Sequence, residues 1–492
     1  HWLHRRQRQM CIRDRNYLDK GPSYDEFFSD SLKHRKHAQK VINFLESLSL
    51  DDLQDINSAT VSAIQSMGVT FRVYQNESNT SDNRTWPLDF IPRLIKKDEW
   101  KLVEKGLIQR VKALNFFIED CYNERRFLKE FDIGDNLVIE TSAYKKYCQN
   151  IKLKEGVWSH ICGSDLIKGE DGEFYVLEDN LRVPSGVSYM LENRMIMKRV
   201  LPELFRRYGV NPVDDYPSKL YETLASISFS KAKHPEIVLL TPGIYNSAYF
   251  EHAYLAQQMG IDLVEGSDLQ IGKDGYVFKK TIEGLKKVDV IYRRIDDDFL
   301  DPEVGNPDST LGVRGLIKSW AQKKVSIVNA PGCGIADDKA VYSYVPEMIK
   351  FYLKEKPILK NIKTYFMNDK KSRDKVRKDI KSMVIKPVSE SGGYGIVIGK
   401  NLKNSKDIEA TFRKIRNNPR NYVAQKFISL STSPTFSEGK IEPRHLDLRP
   451  FILSGTKNYV TVGGLTRVAL KKGTSIVNSS QGGGSKDTWI ID

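Results

Sequence analysis

The sequence contains no GxxxxGK[ST] segment, no CxxC pair and no apolar run approaching the roughly 18 residues that a membrane-spanning helix requires. The first absence removes the P-loop as a route to nucleotide chemistry. The second, with five scattered cysteines in 492 residues, removes zinc and iron–sulfur sites and fits a reducing cytoplasm better than a disulfide-stapled exterior. The third argues for a soluble chain with no membrane partner. No period of about 20–50 residues repeats, which excludes a solenoid. The turn Gly332-Cys333-Gly334 lacks the third glycine of a dinucleotide fingerprint. A net charge of +14 is present, but Lys and Arg are interleaved with acids and no nucleic-acid-binding motif accompanies them. Solvated faces and a polyanionic ligand account for that charge, and nucleic acid is not expected as a partner.

What is present suits a multidomain α/β protein, since this length exceeds one ordinary core. Residues 1–15 are basic, lack an initiator Met, and are expected to be disordered or non-native. Helical spacing runs through 26–66 and again from about Asp98 to Leu128. From Ser164 the pattern becomes strand, turn, strand, with Leu166-Ile167, the turn 168–172, and Phe174-Tyr175-Val176-Leu177 ending in Glu178 and Asn180. A helix over roughly Val187 to Tyr208 follows, its N-terminus placed where it could face an anion. Residues 236–330 alternate short apolar strands with helical stretches, which predicts a small parallel sheet with Rossmann-like winding. Beyond Asp337 the chain is strand-rich again. The stretch Asn478 to Lys486 reads as a flexible tail on composition, or as a loop that covers a ligand.

Two constellations carry chemistry. Asp165, Glu178 and Asn180 lie on paired strands; Glu178 and Asn180 share a face because strand side chains alternate. Three hard oxygen donors suit magnesium, which keeps several waters and bridges to phosphate, although a solvated acidic turn has the same composition. Lys386 closes an apolar strand and precedes a loop with Ser391, Gly392, Gly393 and Gly395, where amide N–H groups and the ammonium could hold phosphate oxygens; a glycine-rich hairpin tip is the alternative. Asp447 and Arg449 alternate on another strand, with Arg467 and Asn478 beyond. Arginine offers bidentate recognition of phosphate, or forms a surface ion pair.

With these residues in view the chain resembles the ATP-grasp ligases, and specifically the circularly permuted ATP-grasp proteins related to glutathionylspermidine synthetases. The resemblance covers nearly everything from about residue 60 onward, most strongly at 176–186, 245–252 and 444–451. It implies an α/β (α+β) circularly permuted ATP-grasp fold with an inserted Rossmann-like pre-ATP-grasp domain. The implied division is a helical segment over 16–60, a metal-binding half over 61–215, the Rossmann-like domain over 216–336 and a nucleotide-binding half over 337–492. By the same resemblance Lys339 and Lys386 are the nucleotide lysines, and Asp165, Glu178 and Asn180 the magnesium ligands. Arg449, Arg467 and Asn478 face phosphate and acyl phosphate. Gln425, Lys426 and Phe427 occupy the hinge that reads adenine through its backbone. The acid usually found there for the ribose is replaced by Lys426, with Glu438 and Glu442 as nearby substitutes. The order of the motifs, metal half before phosphate half, is reversed from the usual one; rejoined ends explain it and predict that Glu178 and Lys386 face one cleft.

The resemblance implies an ATP- and Mg2+-dependent carboxylate–amine ligase working through an acyl phosphate, with small-molecule partners such as an amino acid, a peptide or a polyamine. A kinase acting on a hydroxyl acceptor with the same site, or a non-catalytic nucleotide-binding scaffold, are the competing readings. Tyr245, Asn246, Glu251, Arg293 and Arg294 are candidates for the substrate side. A structural pairing of Arg293 and Arg294 with Asp296–Asp298 is the simpler account of the arginines. The oligomeric state is left open.

Overall fold

A ten-stranded sheet is assembled from both ends of the chain. In the computed structural model, which describes residues 17, 23–29, 33–73, 82–388, 395–471, 474, 477 and 483–492, its path runs Lys360–Asn361, Phe174–Asn180, Ile161–Lys168, Lys440–Arg449, Leu465–Val468, Gly484–Ile491 and Leu88–Lys96. Thr432–Ser437 flanks Lys440–Arg449, and Phe451–Leu453 continues past the Pro450 break to pair with Ile161–Lys168. Proline has no N–H to give the ladder, so the break falls there. Glycine is required at 464, where a Cβ would lie 2.5 Å from the carbonyl oxygen of Arg449. Strands from residues 88–180 thus interleave with strands from residues 440–491. That is the spatial content of the reversed motif order.

The last strand corrects the reading of the C-terminal stretch as a tail. Gly484–Ile491 is buried throughout and pairs in parallel with Leu88–Lys96. Lys486 is enclosed and donates to Asp89, to the Ile91 carbonyl and to the Pro434 carbonyl. Trp489 is fully buried, and a side chain of that size contributes on the order of 1.5–3 kcal/mol by leaving water. The glycines that suggested flexibility belong to residues 482–484; residues 478–482 lie outside those described.

Each long helical block of the sequence divides. The first becomes Gln39–Glu46 and Leu50–Ser66, because Ser49 starts a new helix through a capping box with Asp52. The second becomes Lys97–Tyr122 and Arg126–Glu130, where the Asp120 carboxylate turns back to accept from the N–H groups of Arg126 (3.0 Å) and Phe127 (2.8 Å). The third becomes Val187–Val200 and Pro202–Tyr208; Pro202 cannot donate to the preceding turn and restarts the helix as its first residue.

The inserted unit has the expected parallel sheet, in the order Ser326–Val328, Val290–Arg293, Ile237–Leu240, Asp262–Val264. A meander of Leu269–Ile271, Val277–Thr281 and Gly284–Val288 is added to it. Asn329 ties this unit to the large sheet: its Oδ1 accepts from the N–H groups of His160 and Ile161, and its Nδ2 donates to the carbonyls of Ile161 (2.7 Å) and Leu181 (2.5 Å). A second antiparallel sheet, Thr364–Phe366, Tyr422–Lys426, Met383–Pro387 and Val397–Ile398, packs under the helices Lys370–Lys378 and Ser405–Asn417 around Ile385, Phe412 and Ile415. Among the described residues no helix is long and apolar enough to cross a membrane. Cys121, Cys148, Cys162 and Cys333 are free and buried.

Candidate active site

The hairpin Ile161–Lys168 and Phe174–Asn180 sets Asp165 directly across from Glu178 and Gly163 across from Asn180. The three expected oxygen donors are therefore neighbours on one face. Their surroundings differ. Both oxygens of Asp165 are occupied: Oδ1 accepts from Arg449 Nε at 2.5 Å, and Oδ2 accepts from Arg449 Nη2 at 2.8 Å and Arg467 Nη2 at 2.7 Å. Arg467 also binds Asp447 through two bonds. Burial alone would raise the Asp165 carboxyl, but the two guanidiniums outweigh it and hold the group well below the usual carboxylate range. As placed, Asp165 serves as an arginine anchor, and the more open donors are Glu178 and Asn180. The Asn180 amide donates Nδ2 to the Gly163 carbonyl at 3.1 Å, which leaves its oxygen as an acceptor.

Between Glu178 and Asn180 the chain carries Asp179, on the opposite face and buried. Arg110 binds it through two bonds from Nε, and Ser164 Oγ donates to it at 2.8 Å. Strand alternation separates its structural role from the open face occupied by its neighbours.

Lys339 begins the short helix Lys339–Tyr342 behind the Asp338 cap, and its ammonium lies 3.5 Å from Glu178 Oε2. Lys386 is buried at the end of Met383–Pro387. Loss of water is the main cause that pushes its ammonium down to about 8; the Lys339 charge acts in the same direction, and the Glu178 and Asp165 carboxylates act against it. These four groups share one electrostatic neighbourhood although they come from both halves of the sequence. A cleft of ≈ 560 Å³ opens beside them, lined among others by Glu178, Asn180, Arg182, Asp337, Lys339 and Arg420.

Sequence reasoning passed over Asp337 and Arg420. Asp337 accepts from the N–H groups of Leu181 (2.6 Å) and Arg182 (3.2 Å), and burial pushes its carboxyl up to about 6. Arg420 donates to Asp338 at 2.6 Å. Asp337 had a signal, its adjacency to Asp338 and Lys339. Arg420 had none, because its partner is a matter of tertiary placement.

At the hinge, the N–H of Lys426 is engaged by the Lys363 carbonyl (3.2 Å) and that of Phe427 by the Ser382 carbonyl (2.7 Å). Those two donors are not free to read a base. Lys426 projects outward, and Lys400 Nζ sits 4.1 Å from the Phe427 ring centre. Gln425 is buried and donates to Thr364 Oγ1 at 3.1 Å, while its Oε1 finds no partner among the described residues. Of the suggested acids, Glu442 pairs with Arg444 and Glu438 occupies the turn of the hairpin formed by Thr432–Ser437 and Lys440–Arg449. Gly395 has φ +70°, and a Cβ there would approach Pro387 Cγ to 2.8 Å. Ser391, Gly392, Gly393 and Asn478 lie outside the described residues.

The N-terminus of the helix Val187–Val200 does face an anion, but the anion is a side chain. Glu251 Oε2 accepts from the Gly186 N–H (2.7 Å), the Ser188 N–H (3.1 Å) and Ser188 Oγ (3.0 Å), and its Oε1 accepts from Arg294 at 3.0 Å. Arg293 pairs with Asp297 at 2.7 Å. Glu251, Arg293 and Arg294 are thus consumed by internal contacts, whereas Tyr245 is 82 % exposed and Asn246 caps the turn into Tyr249–Met259.

Three similarities bear on this arrangement. An uncharacterized protein of Synechocystis sp. is 48% identical over 474 residues, spanning 96% of this chain and 98% of that protein. A Frankia alni protein named putative glutamate–cysteine ligase is 38% identical over 95% of this chain, which spans 54% of that longer protein. The apo structure of a glutathione synthetase-like effector from Globodera pallida superimposes with a TM-score of 0.58 at 12% identity, over 90% of this chain and 98% of that one, a likeness of fold. Residues 92–469 match the circularly permuted ATP-grasp type 2 family, and together with the arrangement of the two halves this places the chain in that family.

Proposed function

We propose that the protein is an ATP- and magnesium-dependent carboxylate–amine ligase that forms an amide through an acyl phosphate. The observation that carries this reading is the buried Lys386 ammonium beside Lys339, Glu178 and the Asp165–Arg449–Arg467 cluster. A desolvated cation next to a second cation is costly alone and becomes favourable when a polyphosphate enters. The partnerless Gln425 Oε1 fits the amino donor of an adenine. Family membership supports ATP as the phosphoryl donor, and the name carried by the Frankia relative supports a carboxylate and an amine as the groups joined.

Among the described residues no three acidic, His or Cys side chains cluster to hold a metal by themselves. Glu178 and the Asn180 oxygen form a two-donor hard site of the kind magnesium completes with phosphate and water, and the ion would offset phosphate charge there. Lys339 and Lys386 would position the γ-phosphate. The substrate carboxylate oxygen would attack phosphorus as the bond to the bridging oxygen breaks and ADP leaves. Arg449 and Arg467, fixed by Asp165, would steady the charge on the transferred group. The amine nitrogen would then attack the acyl carbon, expelling phosphate and losing a proton.

The test is ADP release over a panel of amino acids, peptides and polyamines, with hydroxylamine present to trap the acyl phosphate as a hydroxamate. Hydroxamate formed only with ATP and a carboxylate supports the ligase. ADP release with a hydroxyl acceptor and no hydroxamate would instead identify a kinase.

A further inference from the structure

Another cavity among the described residues lies behind the central hairpin. Its volume is ≈ 650 Å³, and its wall joins the N-terminal segment (Tyr24, Arg35, Lys36), the start of the helix Lys97–Tyr122 (Glu99, Leu102), the hairpin tip (Lys168, Phe174) and Ile358 to Lys360. Five basic side chains, Arg35, Lys36, Lys96, Lys168 and Lys360, face two carboxylates, Glu99 and Glu173. One carboxylate is already used, since Lys168 binds Glu99 at 2.7 Å. Among the described residues no ion pair reaches Lys36, Lys96 or Lys360.

The cavity is built as well as charged. Lys168 is held on the floor with its ammonium 4.9 Å from the Phe174 ring centre and 5.6 Å from that of Tyr24. The Arg35 guanidinium lies over the same Tyr24 ring at 4.1 Å while its Nε donates to the Asp25 carbonyl. Val103 and Leu359 close the base, and Leu102 and Ile358 leave apolar surface open at 51% and 37% exposure. The field inside is positive: burial first, then the charges of Lys96 and Lys168, push the His37 imidazole down to about 4. Such a volume suits a metabolite-sized ligand, and the Lys36 and Lys96 ammonium groups, with Lys360 drawn toward the Tyr175 ring at 5.6 Å, beside an aromatic and aliphatic wall suit an organic dianion.

We propose that this cavity is a second ligand site, separate from the nucleotide cleft, that takes a small phosphomonoester with an apolar or aromatic body. The two sites lie on one hairpin, Lys168 and Phe174 at its turn and Asp165 and Glu178 further along the same strands.

Calorimetric titration of the Lys386→Ala protein with 1-naphthyl phosphate, and separately with inorganic phosphate, tests it. The expected result is one naphthyl phosphate per chain, bound at least about tenfold tighter than inorganic phosphate and weakened by added salt. Adding Lys36→Glu and Lys96→Glu, both at exposed positions, should abolish that binding while the melting temperature is kept. Leu102→Gln should remove the preference for the naphthyl ester. Binding unchanged by the charge reversals, or no binding to the Lys386→Ala protein at millimolar ligand, would overturn the proposal.

Discussion

Asp165 and Arg449 stand 284 positions apart in the chain and are joined by two hydrogen bonds of 2.5 and 2.8 Å. The pair crosses the seam between Ile161–Lys168 and Lys440–Arg449, where the two sequence halves meet in the sheet. Arg467 adds a third bond from the next strand and is itself held by Asp447. Removing one member leaves the others buried and charged, which is more damaging than the pair is stabilising.

Asp165→Ala should therefore lower the unfolding free energy by about 3–5 kcal/mol and abolish ADP formation, because Arg449 and Arg467 lose their common anchor. Urea denaturation measures the first effect. A loss below about 1 kcal/mol would mean that the arginines are solvated and not fixed.

Lys386 supplies a pH dependence with two opposite signs. Its ordinary value is 10.5 and burial brings it to about 8, so between those limits the unfolded chain holds a proton that the folded chain lacks. Its contribution to fold stability should rise with pH across that window. Nucleotide binding should run the other way. Phosphate favours the charged ammonium, so ADP affinity should fall as pH climbs through about 8, by at most about tenfold per unit for one proton. Lys386→Met should flatten the ADP profile measured by titration calorimetry.

Glu178→Gln and Asn180→Leu test the proposed magnesium contact. Each should raise the half-saturating magnesium concentration for ADP formation by on the order of tenfold or more, without loss of melting temperature, since neither side chain supports the core. An unchanged magnesium requirement in both variants would remove these residues from the metal site.

Glu251→Ala should destabilise the protein by about 3–5 kcal/mol, because it strands the buried Arg294 and uncaps the helix Val187–Val200. If the cost is only that of an exposed residue, the carboxylate is a substrate contact, as its sequence position first suggested.

Residues whose roles follow from local pattern were legible in the sequence. Period-two alternation placed Glu178 and Asn180 on one face of a strand, and the alternating strands and helices of 236–330 announced a parallel sheet. What was hidden depends on partners. Nothing near Asp165 tells that arginines from residues 449 and 467 will occupy it, and nothing near Glu251 tells that it caps a helix beginning at 187. The meander at 269–288 was missed because its third strand, Gly284–Val288, exposes four of its five residues and carries lysines where an apolar face would have marked it. At the C-terminus, glycine-rich composition outweighed the apolar residues just beyond it.

That C-terminal strand bears on how the chain is made. Leu88–Lys96 leaves the ribosome well before the neighbour it pairs with, Gly484–Ile491, which follows it by about 400 positions. The large sheet cannot close until both strands have been made. Its open edge must be tolerated or shielded until Gly484–Ile491 arrives, and contacts of such long sequence separation are slow to form. The parallel α/β unit formed by 237–328 has all its strands within one contiguous stretch and can be complete before that closure.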